Sequence, residues 1–152
     1  MFFGRYTPLS NFYPCKFSLA GPQYNCMEQF IQQHKAEMLG SEGIAQKVMN
    51  TEKPELQQRL GRSVSGNITQ WNRQVKAEVL PALLEKFRQN PDLKAYLQST
   101  GKKVLAEAST NTLWGIGIKL DSHHLFDNSQ WQGDNMLGNM LMSVRETLKS
   151  SL

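Results

Sequence analysis

Apolar positions recur at three- and four-residue intervals over most of the chain. Met27, Phe30, Ile31, His34 and Met38 follow helical spacing, so a helix is predicted from Asn25 onward. Asn25 caps it, and Glu28 three residues later completes a capping box. Ile44 and Val48 predict a second helix after Ser41. A short helix is predicted over residues 54–60, with Gly61 as its C-cap. Val75, Val79, Leu83, Leu84 and Phe87 carry a long pattern over residues 69–88, which Pro81 must kink or split. Asn90-Pro91-Asp92 opens a further helix with Leu93, Tyr96 and Leu97 inside, ending near Gly101. Leu137, Met140, Leu141, Val144 and Leu148 form a final amphipathic helix.

The ends of the chain read differently. Pro8, Pro14, Gly21 and Pro22 punctuate Phe2-Phe3, Phe12-Tyr13 and Phe17-Ser-Leu19, which predicts short strands and loops. Residues 104–108 and 114–118 read as two strands, and 119–134 as loop. The expected architecture is α+β: one helix-dominated domain over residues 1–152, with a small β component at both ends.

Composition narrows the function classes. A chain of 152 residues can bury a core without a disulfide or metal staple. A net charge of +4 is compatible with phosphates or nucleic acid, although no block of like charges appears. Cys15 and Cys26 are too few for a disulfide framework, so a reduced cytoplasmic setting is expected. The start lacks a basic-then-apolar signal pattern, and no run approaches the roughly 18 apolar residues of a membrane span. His34, His123 and His124 do not form a metal set, and no cofactor is called for.

The densest chemistry lies in Glu107-Ala-Ser-Thr-Asn-Thr-Leu-Trp-Gly-Ile-Gly117. Glu107 near a strand end, facing Trp114, suits oxocarbenium stabilisation or acid/base work on an N-glycosidic bond. The other reading is a hairpin with a buried tryptophan. Glu28 and Lys35 are seven residues apart, on one helix face and roughly 10 Å apart along the axis. A lysine beside Ile31 and Met38 can lose pKa and become a nucleophile, or snorkel to solvent. Ser10-Asn11-Phe12-Tyr13-Pro14 either grips a ribose phosphate or is a packed turn. Arg62 either binds phosphate or complements a helix dipole. Asn135, in Gly133-Asp-Asn-Met-Leu-Gly138, either orients a hydroxyl or phosphate or caps the last helix.

Taken in order, these strings resemble one family. They are Leu9-Ser-Asn-Phe-Tyr-Pro14, Tyr24, Glu28-Gln-Phe-Ile-Gln with Lys35-Ala36, Gly61-Arg62, Trp71, Lys86-Phe87, Thr100-Gly101, Glu107-Ala-Ser, Trp114-Gly-Ile-Gly117, Gly133-Asp-Asn135, Leu137-Gly138 and Leu141-Met142 with Arg145. The pattern resembles the NADAR (YbiA-like) family over nearly the whole chain. The resemblance implies a small β core wrapped by helices and N-glycosidase activity at a ribose–nitrogen bond. It implies two substrate classes: ADP-ribose on guanine in DNA, removed by antitoxins paired with DarT-type toxins, and phosphorylated ribosylamino-pyrimidine intermediates of riboflavin synthesis. It places catalytic roles on Glu28, Lys35, Glu107 and Asn111. It places the family's tryptophan on Trp114 and its amide on Asn135, and with the residues read above the expected substrate contacts are Ser10, Asn11, Phe12, Tyr13, Arg62, Trp114, Gly115 and Asn135. Family members commonly carry aspartate three residues before the tryptophan. Here that position is Asn111, which leaves a non-catalytic ADP-ribose-binding module open.

Overall fold

The computed structural model describes residues 7–109, 111–118 and 122–149. The chain forms two compact units, Asn11–Pro91 and a second made of Met1–Ser10 with Asp92–Leu152.

In the first unit a two-residue hairpin leads into four helices. Strand β1 is Phe17–Ser18 and β2 is Gln23–Tyr24, antiparallel with Phe17 opposite Tyr24. The helices are α1 Met27–Met38, α2 Glu42–Met49, α3 Pro54–Arg62 and α4 Ile68–Arg88. Helix α1 packs against α2, α3, α4 and β2. That central place explains why it buries polar residues as well as its apolar stripe: Glu28, Gln29, Gln32 and Gln33 are all buried. Phe17, Tyr24 and Phe30 form an aromatic cluster, with His34 stacked on Phe30 at 3.8 Å between centroids.

Three expectations change here. Cys26, not Asn25, is the N-cap of α1, and Glu28 does not close a capping box. Gln29 reaches back instead, its Oε1 accepting from the Asn25 backbone N–H at 2.9 Å. Gly61 is not a C-cap: α3 runs on through Arg62 and ends at Ser63. Pro81 does not split α4, which is one uninterrupted helix capped by Asn67 Oδ1 at the Gln70 N–H.

In the second unit α5 is Pro91–Ser99 and α6 is Met136–Lys149, separated by irregular chain with one 3-10 turn at Asn128–Gln130. Helix α6 buries Leu137, Met140, Leu141, Val144 and Leu148, the stripe read from spacing. Leu93 and Leu97 are buried on α5, but Tyr96 is 43% exposed, because its position rotates onto the solvent face. Arg145 joins α6 to the end of α5, its Nη1 donating to Thr100 Oγ1 and the Lys103 carbonyl at 2.8 and 2.9 Å.

The expected second β component is not built as strands. Residues 104–108 and 114–118 form no strand, so the hairpin of β1 and β2 is the only sheet among the described residues. The Leu105 carbonyl and the Glu107 N–H bond the Asn135 side chain, and only a few backbone bonds, Ile116 N–H to the Glu107 carbonyl among them, join the two segments. Phe2-Phe3 lies outside the described residues, as does part of the loop expected over 119–134. The chain is still helix-dominated with a small β component, as expected.

Candidate active site

Helix α1 sets Glu28, Gln32 and Lys35 at i, i+4 and i+7, so all three project from one face. Gln32 Nε2 donates to Glu28 Oε1 at 2.7 Å. The Glu28 backbone N–H donates to the Asn11 carbonyl at 2.9 Å, which ties the loop at Asn11 to the start of the helix. Lys35 is half-buried and its Nζ donates to the Gly61 carbonyl of α3 at 3.1 Å. Arg62, the next residue, is exposed and near enough to act on both Glu28 and Lys35.

These surroundings move both titrations toward neutrality. Burial pushes the Glu28 carboxyl up to about 7, against the opposing pull of the Gln32 hydrogen bond and the Lys35 and Arg62 charges. Burial holds the Lys35 ammonium below its usual range; Glu28 counteracts this and Arg62 adds to it. A carboxyl poised near 7 can both give and take a proton at neutral pH. A lysine with a depressed pKa carries more free amine, the nucleophilic form.

The loop before the hairpin is more enclosed than a surface turn. Ser10 and Asn11 are buried, while Phe12 and Tyr13 are half-buried. Asn11 Oδ1 is buried with no hydrogen-bond partner among the described residues. A buried acceptor left open in this way is uncommon in a folded chain.

The second unit builds its own constellation around Glu107. Asn135 has a left-handed backbone, φ +51°, and its amide spans the strand-like segment. Its Nδ2 donates to the Leu105 carbonyl at 2.9 Å and its Oδ1 accepts from the Glu107 N–H at 3.0 Å. The Ile116 N–H donates to the Glu107 carbonyl at 3.0 Å. Asn135 therefore has an internal use that the sequence did not announce: it holds the Glu107 backbone in place. Trp114 is half-buried, on a turn whose opening residue is Asn111. Asn111 Oδ1 accepts from the Leu113 and Trp114 N–H groups at 2.9 and 2.8 Å, an Asx-type turn. Gly115 is buried, and a Cβ there would meet the Glu107 carbonyl oxygen at 2.9 Å. Its glycine is accounted for by this internal contact.

The Asn111 turn has a direct consequence. Aspartate offers the same acceptor oxygen, so Asn111→Asp is expected to leave the thermal unfolding midpoint within about 2 °C of the parent. Asn111→Ala removes both bonds and is expected to cost about 1–2 kcal/mol. Paired melts check this; an equal loss in both variants would refute it.

Comparison with known proteins gives the family. A family model, the NADAR domain, matches residues 1–149. The chain belongs to the NADAR family. This NADAR chain is 36% identical over 126 residues to "N-glycosidase R617" of Acanthamoeba polyphaga mimivirus, covering 82% of this chain and 74% of that protein. It is 33% identical to the "Riboflavin biosynthesis protein VVA0006" of Vibrio vulnificus, with 93% of this chain matching 35% of that one. The solution structure of Escherichia coli YbiA superposes with a TM-score of 0.76 at 26% identity, over 95% of this chain and 79% of that one.

Within this NADAR chain the first unit brings together Glu28, Lys35, Arg62 and Asn11. The second brings together Glu107, Asn111, Trp114, Gly115 and Asn135. Gln32 was missed by the sequence reading, although its spacing of four from Glu28 is the helix-face spacing that should have drawn attention. Among the described residues no group of three metal-ligating side chains occurs, and no helix is long and apolar enough to cross a membrane.

Proposed function

We propose that this chain is an N-glycosidase that cleaves the ribose–nitrogen bond of ADP-ribosylated guanine in DNA. The observation that carries the reading is the pairing on α1 of a buried carboxyl poised near neutrality with a half-buried lysine of depressed pKa. Glu28 gives its proton to the departing base nitrogen as the bond to the anomeric carbon breaks. The free amine of Lys35 adds its lone pair to that carbon and gives a proton to the Glu28 carboxylate, which passes it to the ring oxygen. The ring oxygen then leaves as a hydroxyl, giving a Schiff base. Water adds to the imine carbon, and the sugar departs with Lys35 restored. Arg62 holds phosphate, and Tyr13 walls the sugar or base. Relatives named N-glycosidase support the reaction class. The net charge of +4 favours a polyanionic substrate. A DarT-type transferase is the genetic partner this reading implies.

A second reading is hydrolysis of a phosphorylated ribosylamino-pyrimidine, favoured by the match to a riboflavin biosynthesis protein. Turnover of both substrates by the purified chain, with calorimetry on ADP-ribose, separates the readings. Release of ADP-ribose from modified guanine DNA is the expected result. Turnover of the pyrimidine intermediate alone would move the assignment to the second reading. ADP-ribose binding without turnover, with activity gained in Asn111→Asp, would make this chain a binding module.

A further inference from the structure

Gln32 is the polar residue next to Glu28 whose position is hardest to explain as packing. It lies on α1 with 9% of its surface exposed. Its Nε2 donates to Glu28 Oε1, which leaves its Oε1 buried with no hydrogen-bond partner among the described residues. An unmet buried acceptor costs about 1–3 kcal/mol, so the amide is held there by what its other end does. The open oxygen is pressed against α3 at Gly61. A Cβ on Gly61 would stand 1.7 Å from Gln32 Oε1 and 2.4 Å from its Cδ. No residue but glycine leaves the amide where it is. The carbonyl of the same Gly61 accepts from Lys35 Nζ. One glycine thus bears on both reactive groups of the helix, through its missing side chain on Glu28 and through its carbonyl on Lys35.

We propose that Gln32 is a positioning residue that holds the Glu28 carboxylate for proton transfer, and that Gly61 is glycine to leave room for that amide. This rests on the glycosidase reading for its purpose, but its geometry is independent of any substrate. The groups acting on Glu28 are Gln32 and Lys35 on its own helix and Arg62 on α3, while Glu28 itself raises the neutral Cys26 thiol at the helix start. Of these, Gln32, Lys35 and Arg62 favour the ionised carboxylate. Losing Gln32 therefore moves the Glu28 titration further up, and the limb of the pH–rate profile that Glu28 controls moves with it.

The test follows the Glu28 side-chain carboxyl by NMR titration in the purified chain, alongside pH–rate profiles and thermal melts. Gln32→Leu is expected to raise the Glu28 midpoint by about one pH unit. Gly61→Ala is expected to raise it in the same direction, since the new methyl displaces the amide. In a Gln32→Ala background, adding Gly61→Ala is expected to change neither the midpoint nor the melt, because the clashing atoms are gone. An unchanged Glu28 midpoint in Gln32→Leu overturns the proposal. So does a Gln32→Ala/Gly61→Ala chain that melts as low as Gly61→Ala alone. Shifted titrations in a chain that turns over neither substrate would refute the glycosidase reading and leave the positioning of Glu28 supported.

Discussion

Glu28→Gln is expected to abolish turnover and, at pH 8, to melt at a higher temperature than the parent chain. The two effects share one cause. Burial raises the Glu28 carboxyl from an ordinary 4.5 to about 7. Between those values the folded chain holds a proton that the unfolded chain has released. Stability from this group is therefore fully present below about 4.5 and is lost as pH rises through about 7. Above that, the folded state carries a buried carboxylate that the unfolded state keeps in water. A shift of that size corresponds to at most about 3 kcal/mol. Glutamine removes the penalty, fills the same space, and keeps an oxygen to accept from Gln32. The gain at pH 8 should be on the order of 5–10 °C in the melt and should vanish near pH 4.5. Turnover should fall by roughly 10²–10⁴, the usual worth of a positioned acid or base. Scanning calorimetry at several pH values, with a turnover assay at each, checks both halves. A Glu28→Gln chain that melts lower than the parent at pH 8 would show that the carboxylate is stabilised in the fold rather than strained.

Lys35→Ala is expected to cost at least about 10³-fold in turnover, and borohydride should trap a sugar adduct on the parent but not on the variant. The side chain lies half in the core, and its Nζ is anchored on the Gly61 carbonyl. Burial there lowers the proton affinity of the amine. More free amine is then present at a given pH, so the rate should rise with pH where lysine controls it. Lys35→Arg should not rescue the reaction, since a guanidinium keeps its charge and offers no lone pair. Mass spectrometry of the reduced mixture locates the adduct. Parent-like turnover in Lys35→Ala would remove the lysine from the mechanism and leave Glu28 acting through water.

Much of the fold was readable because helical periodicity is local. The stripe at Leu137, Met140, Leu141, Val144 and Leu148 depends only on rotation of 3.6 residues per turn, and every one of those residues is buried. The same rule placed Glu28 and Lys35 on one face. Pairings across elements were not readable. Gln29, one residue beyond Glu28, closes the start of α1, because Glu28 is turned inward toward Gln32 and held there. The apparent strands around Glu107 have the extended, apolar look of a hairpin. They share only a few backbone bonds, and the side chain of Asn135 and a turn organised by Asn111 supply the rest.

The sequence by itself determined the helices and the family, and it singled out Glu28 and Lys35 on one helix face, since residue type and spacing along one helix suffice for that. The tertiary structure alone decided how they titrate. Glu28 titrates near 7 because burial removes its water, and Lys35 falls below its usual range for the same reason. Gly61 illustrates the divide. In the sequence it reads as the end of a helix, and in the fold it is the gap that admits Gln32 and the carbonyl that holds Lys35. Desolvation and close approach depend on residues distant along the chain meeting in space, and no local pattern encodes them.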